Sequence, residues 1–167
     1  VLLRVAANVV GDGQHTVREL IAIKNDNPLR GRDHRSPLEI IELGDIELLM
    51  LDQQGYGADD ILPAGVKVDL RRNSNISTGG DSIDVTDSMH PSYRELAADM
   101  AKAMGAWACG VDIIPDSSAI STKENPNCTC IELNFNPSMY MHTYCAEGPG
   151  QSITPKILAK LFPEMDL

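Results

Sequence analysis

No apolar run in this chain approaches the roughly 20 residues needed to cross a bilayer as a helix, and no signal-peptide pattern opens it. The expectation is accordingly no membrane partner and a cytoplasmic location. Positive charge is also scarce. Against 24 Asp and Glu stand only 14 Lys and Arg, for a net charge of −10. That balance excludes nucleic acid as a main partner, because phosphate backbones demand clustered cations. The basic residues that do cluster, Arg30, Arg32 and Arg35 and then Arg71 and Arg72, suit a small anion better than a duplex. Cysteine is limited to Cys109, Cys128, Cys130 and Cys145. The Cys128-Thr-Cys130 spacing is not the two-residue spacing of a zinc knuckle, and a cytosolic chain keeps such thiols reduced. A thiolate site in which Cys128 and Cys130 share a strand face with Glu132, joined by His142, stands as the lesser alternative. There is no internal repeat, no low-complexity tract and no initiator Met. The opening Val-Leu-Leu-Arg-Val reads as mid-strand, so the expectation is a piece of a larger protein.

The composition, 43% apolar and 23% charged over 167 residues, is that of an ordinary globular protein and suits one domain spanning 1–167. Residues 1–10 read as a strand and 11–13 as a turn. Thr16-Val-Arg-Glu19 is a capping box that opens a helix running to residue 23 or 24. Residues 25–35 read as a loop. Ser36-Pro37-Leu-Glu39 looks like a second capping box with Pro at the first helical position; the helix it predicts is interrupted near Gly44 and stops at Gly55. Residues 58–62 suggest one further helical turn, and 66–70 a strand. The stretch 71–80 has neither period. Residues 91–104 carry the 3.6-residue period and end at Gly105. Two apolar strands around Asp112 and Glu132 follow, joined by a polar connection over 115–127, and a last helix runs from Thr154-Pro155 to Phe162. The fold class expected is α+β, a mostly antiparallel sheet flanked by helices.

Asp112, Glu132 and Asn134 are the strongest chemical signal. Each lies in a run too apolar for a surface loop, Cys109-Gly-Val-Asp112-Ile-Ile and Cys130-Ile-Glu132-Leu-Asn134-Phe-Asn136-Pro. Side chains alternate across a strand, so Glu132, Asn134 and Asn136 share one face, with Ile131, Leu133 and Phe135 on the other as core. Carboxylates on strand interiors are costly unless compensated. A hard divalent cation compensates them, since Mg²⁺ takes oxygen ligands and binds through one or two carboxylates plus substrate phosphates. The loop Ser77-Thr-Gly-Gly80, with Arg71 and Arg72 just upstream, offers hydroxyls, close backbone approach and guanidinium forks for an anion. Taken alone such a loop reads equally well as ordinary surface. With an oxygen-ligand triad elsewhere in the chain, the two become complementary halves of a nucleotide site. His142, His15 and Asp12, and the methionines at 100, 104, 139 and 141, read more simply as turn, cap and packing residues.

Three segments together resemble the ATP-grasp ligases: 9–21 (Val-Val-Gly-Asp-Gly-Gln-His-Thr-Val-Arg-Glu-Leu-Ile), Asn75-Ile-Ser-Thr-Gly-Gly80 with Asp84-Val-Thr86, and Ile131-Glu-Leu-Asn134 with Pro137. Within that superfamily the chain is similar to cyanophycin synthetases and to bifunctional glutamate–cysteine ligase/glutathione synthetases. The stretches 25–35 and 134–148 favour the bifunctional enzymes. The resemblance covers essentially the whole chain and implies the C-terminal subdomain of an ATP-grasp fold. It implies that ATP phosphorylates a substrate carboxylate and that an amine then attacks the acyl phosphate. For glutathione the partners are ATP, γ-glutamylcysteine and glycine, with the rest of the parent chain supplying the adenine-binding half; the isolated piece is then inactive. Carried over residue by residue, Asp112, Glu132 and Asn134 hold two Mg²⁺ ions (or Mn²⁺), Arg71 or Arg72 contacts the phosphate, and Asn75, Ser77, Thr78, Gly79 and Gly80 border the carboxylate substrate. A cyanophycin-type or other amino-acid ligase is the alternative within this chemistry, and a non-catalytic binding or assembly module the alternative outside it. A homodimer is left open.

Overall fold

The computed structural model describes residues 1–115 and 127–164. Its elements run β1 (Leu2–Val5), β2 (Asn8–Val10), α1 (Val17–Asn25), β3 (Arg30–Gly31), β4 (Leu38–Glu39), α2 (Asp45–Gln53) and β5 (Lys67–Asp69). A 3-10 turn (Ile76–Thr78), β6 (Asp81–Asp84), α3 (Pro91–Ala103), β7 (Gly110–Pro115), β8 (Cys128–Asn134), α4 (Tyr140–Thr143) and α5 (Ile153–Leu161) complete the order. Helices and strands are mixed as expected, and pairing is mostly antiparallel. The strands form four separate two-stranded ladders rather than one sheet: β1–β6, β2–β5 and β7–β8 antiparallel, β3–β4 parallel. Two compact units emerge, Leu2–Asp84 with Tyr140–Leu167, and Val1 with Val85–Met139.

The larger unit owns the core. α1 starts where Thr16 Oγ1 accepts the Glu19 N–H and the Glu19 carboxylate accepts the Thr16 N–H, the reciprocal capping box read from the sequence. Its Val17, Leu20 and Ile21, at i, i+3 and i+4, are buried on one face. They pack with Ala7 and Val9 ahead of the helix, with Ile41 and Leu51, and with Leu62, Val68 and Leu70. Every buried hydrophobic among the described residues lies in this unit. The predicted opening strand is two, β1 and β2, broken at residues 6–7. Past β6 the chain returns alongside it: the Ala146 and Glu147 N–H groups both donate to the Ser82 carbonyl, and Gln151 reaches the Asp84 carboxylate at 2.8 Å.

The second capping box does not form. Asp33 and His34 both take left-handed backbone angles (φ 60° and 55°), and the chain doubles back so that Leu38–Glu39 pairs parallel to Arg30–Gly31. The Glu39 carboxylate accepts the His34 N–H at 2.6 Å instead of capping a helix. The helix begins only at Asp45, where Glu47 accepts the Gly44 N–H at 3.0 Å, and it ends before Gly55 in the left-handed region (φ 80°), as the glycine predicted. Residues 58–62 are a turn and a bridge from Ile61 to Thr16, not helix.

In the second unit α3 packs on β7, and β7 pairs with β8. The expected core face of β8 is not core. Ile131 and Phe135 are each 59% exposed. The polar connection expected over 115–127 lies almost wholly outside the described residues.

Candidate active site

The β7–β8 register brings the carboxylates together. Asp112 lies directly across from Glu132, and Gly110 across from Asn134. Directly opposed residues of an antiparallel pair project to the same face, with Cβ atoms roughly 5 Å apart. Asp112, Glu132 and, two residues on, Asn134 therefore share a face. Like charges set directly opposite one another are destabilising unless compensated. Asp112 is half-buried, whereas Glu132 and Asn134 are exposed. The Asn134 Oδ1 accepts the Asn136 N–H at 2.8 Å, fixing its amide at the point where the chain leaves the strand. Gly110 is the residue that fits beneath it, since a Cβ there would meet the Pro137 ring at 3.1 Å.

An irregularity absent from the sequence reading changes the thiol question. The register shifts between Asp112 and Ile113: Asp112 pairs with Glu132 but Ile113 pairs with Cys130, leaving Ile131 as an extra residue. Adjacent residues on β7 face opposite ways, so the bulge turns Cys130, with Cys128 across from Pro115, onto the face away from Asp112 and Glu132. The expectation that the thiols share a face with Glu132 is thereby corrected. All four cysteines are free, and among the described residues no group of three or more His, Cys, Asp and Glu could hold a metal. The donors on the face of interest are Asp112, Glu132 and the Asn134 amide, all oxygen. They suit a hard cation whose remaining ligands come from elsewhere. The same bulge explains why Ile131 is exposed.

The larger unit holds an open cleft of ≈ 370 Å³, lined among others by Arg32, His34, Glu39, Glu47, Arg71, Ser77 and Thr78. Arg71, the residue after Leu70, enters this cleft, while Arg72 does not line it and donates to Gln53 Oε1 at 3.0 Å. The Arg71 Nε donates to Glu47 Oε1, and Glu47 is only 3% exposed. Glu47 thus caps α2 with one oxygen and anchors Arg71 with the other. Arg32 is held by Glu42 at 2.6 Å.

The Ser77–Gly80 segment is a hydrogen-bonded turn, not an open nest. The Asn75 carbonyl accepts from the Thr78 and Gly80 N–H groups and from the Thr78 hydroxyl, and the Ile76 carbonyl accepts the Gly79 N–H. Those donors are turned inward. What faces the cleft is the Ser77 and Thr78 pair. Gly79 (φ 85°) and Gly80 are buried and shape the turn. A Cβ on Gly79 would strike Ile41 at 2.9 Å, and one on Gly80 the Asn75 and Val5 carbonyls at 2.7 Å. Asn75 is exposed and outside the cleft lining.

Sequence reasoning grouped Arg30 with Arg32 and Arg35 as an anion-binding cluster. Arg30 is instead buried: its side chain is 1% exposed and ion-paired with Asp81, which also binds Lys24 at 2.6 Å. Burial pulls the guanidinium below its ordinary value, with Asp81 opposing the fall. Glu47 and Asp81 were missed, and Arg30 was given the wrong role. Their roles depend on which distant segments meet, a fact with no local pattern.

Compared with known proteins, the chain is a homologue of bifunctional proteins of glutathione biosynthesis. It is 81% identical over 166 residues to the glutathione biosynthesis bifunctional protein GshAB of Streptococcus thermophilus (strain CNRZ 1066). It is 76% identical to the protein of that name from Streptococcus mutans serotype c. Each match covers 99% of this chain and 22% of the relative; the chain spans less than a quarter of the length of the curated relatives it matches. The crystal structure of a bifunctional glutathione synthetase from Pasteurella multocida matches with a TM-score of 0.88 at 52% identity, covering 98% of this chain and 23% of that one. No family model matches. The resemblance to bifunctional glutathione synthetases read from the sequence is thus borne out, over the 22–23% of their length that this chain matches.

Proposed function

We propose that the chain is the metal- and acceptor-binding part of an ATP-grasp ligase that joins glycine to γ-glutamylcysteine within a longer bifunctional chain. The observation that carries this reading is the Asp112–Glu132 pair set face to face across β7 and β8, in a chain 81% identical to a glutathione biosynthesis protein. A purely structural descendant has no physical reason to keep two opposed carboxylates and an amide on one strand face.

In the reaction, the dipeptide carboxylate attacks the γ-phosphorus of ATP and ADP leaves. The glycine amine then attacks the acyl carbon, phosphate departs with the C–O bond electrons, and the amine gives up a proton. Mg²⁺, when bound by Asp112, Glu132 and Asn134, supplies neutralisation of charge on the phosphoryl group, where most of such catalysis lies. Arg71 is the arginine favoured for the phosphate or acyl phosphate: it lines the cleft, Glu47 takes only its Nε, and a guanidinium fork matches oxyanion geometry. The Ser77 and Thr78 segment forms the wall against the carboxylate substrate.

The test is turnover by the full-length parent protein. With γ-glutamylcysteine, glycine and Mg-ATP it makes glutathione, ADP and phosphate in equal amounts. Oxygen-18 placed in the dipeptide carboxylate appears in the released phosphate if an acyl phosphate forms. Product from aspartate or another amino acid in place of glycine moves the assignment to a different amino-acid ligase. No product with any amine assigns the chain to a binding module.

A further inference from the structure

Arg30 is a buried cation with no place in the chemistry just described, and burying an ion costs several kcal/mol even after relaxation. The Arg30 Nη2 is ion-paired with Asp81, while its Nη1 donates to two main-chain carbonyls, Glu39 at 2.6 Å and Gly79 at 3.2 Å. Those carbonyls belong to the two walls of the cleft. On one side the Glu39 carboxylate holds the left-handed His34 through its N–H. On the other, Gly79 closes the turn that presents Ser77 and Thr78. One guanidinium joins the Glu39 and Gly79 carbonyls, beside the direct packing of Gly79 against Ile40 and Ile41, and Asp81 at the head of β6 fixes where that guanidinium sits. Lys24, also bound to Asp81 and to the Asn8 carbonyl, shares the counter-charge but touches neither wall. A planar fork with fixed donor directions can bridge three acceptors in this way, and a single ammonium cannot reproduce it.

We infer that Arg30 is a positioning residue that sets the spacing between the Glu39 and Ser77–Thr78 walls of the cleft, and through it the affinity for the carboxylate substrate. The inference rests on the reading that this cleft receives γ-glutamylcysteine. The experiment is steady-state kinetics of the full-length parent protein and its Arg30→Lys variant, with γ-glutamylcysteine and ATP varied separately. Arg30→Lys keeps the charge and loses the fork. The expected result is a KM for γ-glutamylcysteine raised roughly ten-fold, the equivalent of about 1.4 kcal/mol, with the KM for ATP within two-fold of the parent. Lys24→Met is expected to leave both constants within two-fold, because it removes a partner of Asp81 that touches no wall. Should Arg30→Lys not fold, Asp81→Glu displaces the guanidinium by a methylene with the charges intact, and the same selective rise is expected. An unchanged dipeptide KM, or an equal rise in both KM values, overturns the inference. Failure of the unaltered parent to use γ-glutamylcysteine instead overturns the functional reading beneath it.

Discussion

Two glycines offer a controlled test of how the Ser77–Gly80 turn is built. Gly55 and Gly79 have nearly the same backbone angle, φ 80° and 85°, so replacing either by Ala costs a similar strain, about 1–2 kcal/mol. Their surroundings differ. A Cβ at Gly55 meets nothing within 4 Å, whereas one at Gly79 comes within 2.9 Å of Ile41 Cγ1, 3.0 Å of Ile41 Cα and 3.2 Å of the Ile40 carbonyl. Two of those three atoms are backbone, and Ile41 is only 2% exposed in the core, so the collision cannot be relieved by swinging a side chain away. Overpacking of this kind costs about 1–3 kcal/mol more. For a chain of this size that difference corresponds to roughly 2–12 °C in melting temperature. Thermal unfolding of Gly55→Ala and Gly79→Ala, followed by circular dichroism beside the unaltered chain, reads it directly. Gly79→Ala should melt clearly below Gly55→Ala. Equal losses would mean that the β4 region yields without cost, and the tight packing of turn against Ile41 would be refuted.

Further outcomes follow from the same geometry. Replacing Arg71 by Ala in the parent protein should lower ligation far more than Arg72→Ala, because only Arg71 enters the cleft; comparable losses in both would contradict the assignment. Truncating Leu51, fully buried in the core, to Ala should cost about 2–5 kcal/mol, measured by urea denaturation, against near zero for the exposed Leu49. His15 is held above its ordinary value of 6.5 by the Asp12 carboxylate at 2.6 Å, and Asp12 is held well below the usual carboxylate range by His15. The protonated His15 therefore favours the fold below pH 6.5, an effect lost as pH rises through its raised value. The Asp12 contribution is present above 3.8 and lost as pH falls. Proton NMR titration should find His15 high and Asp12→Asn should return it towards 6.5. Thiol labelling under native conditions should modify the half-buried Cys109, Cys128 and Cys130 before the buried Cys145.

Local signals were legible in the sequence where one segment alone decides the structure. Thr16 and Glu19 satisfy each other's backbone, so α1 starts where its capping box says. The 3.6-residue period of 91–104 and Gly105 bound α3. Period-two alternation put Glu132 and Asn134 on one face, and the β7–β8 register set Asp112 across from Glu132. The reading broke down where distant segments compete for the same groups. Ser36-Pro37-Leu-Glu39 has the letters of a capping box, yet Glu39 is claimed by His34 and its carbonyl by Arg30. The bulge at Ile131 has no turn residue to announce it, and it turns the thiols away from the Glu132 face. The glycines of the turn suggested anion contact by composition; their positions are explained by crowding against Ile41, Asn75 and Val5.

Manganese binding to the full-length protein reads the ligands of the Asp112–Glu132–Asn134 face without requiring turnover. Mn²⁺ substitutes for Mg²⁺ at oxygen sites, and its free concentration is followed by electron paramagnetic resonance in the presence of a non-hydrolysable ATP analogue. Glu132→Gln, which removes one of two opposed carboxylates while leaving β7–β8 paired, is expected to weaken Mn²⁺ binding by at least ten-fold, about 1.4 kcal/mol. Glutathione formation should fall by roughly a thousandfold, with the melting temperature unchanged or raised by relief of the Asp112–Glu132 repulsion. Mn²⁺ binding of parental affinity in Glu132→Gln would contradict the assignment of the Asp112–Glu132–Asn134 face as the metal site.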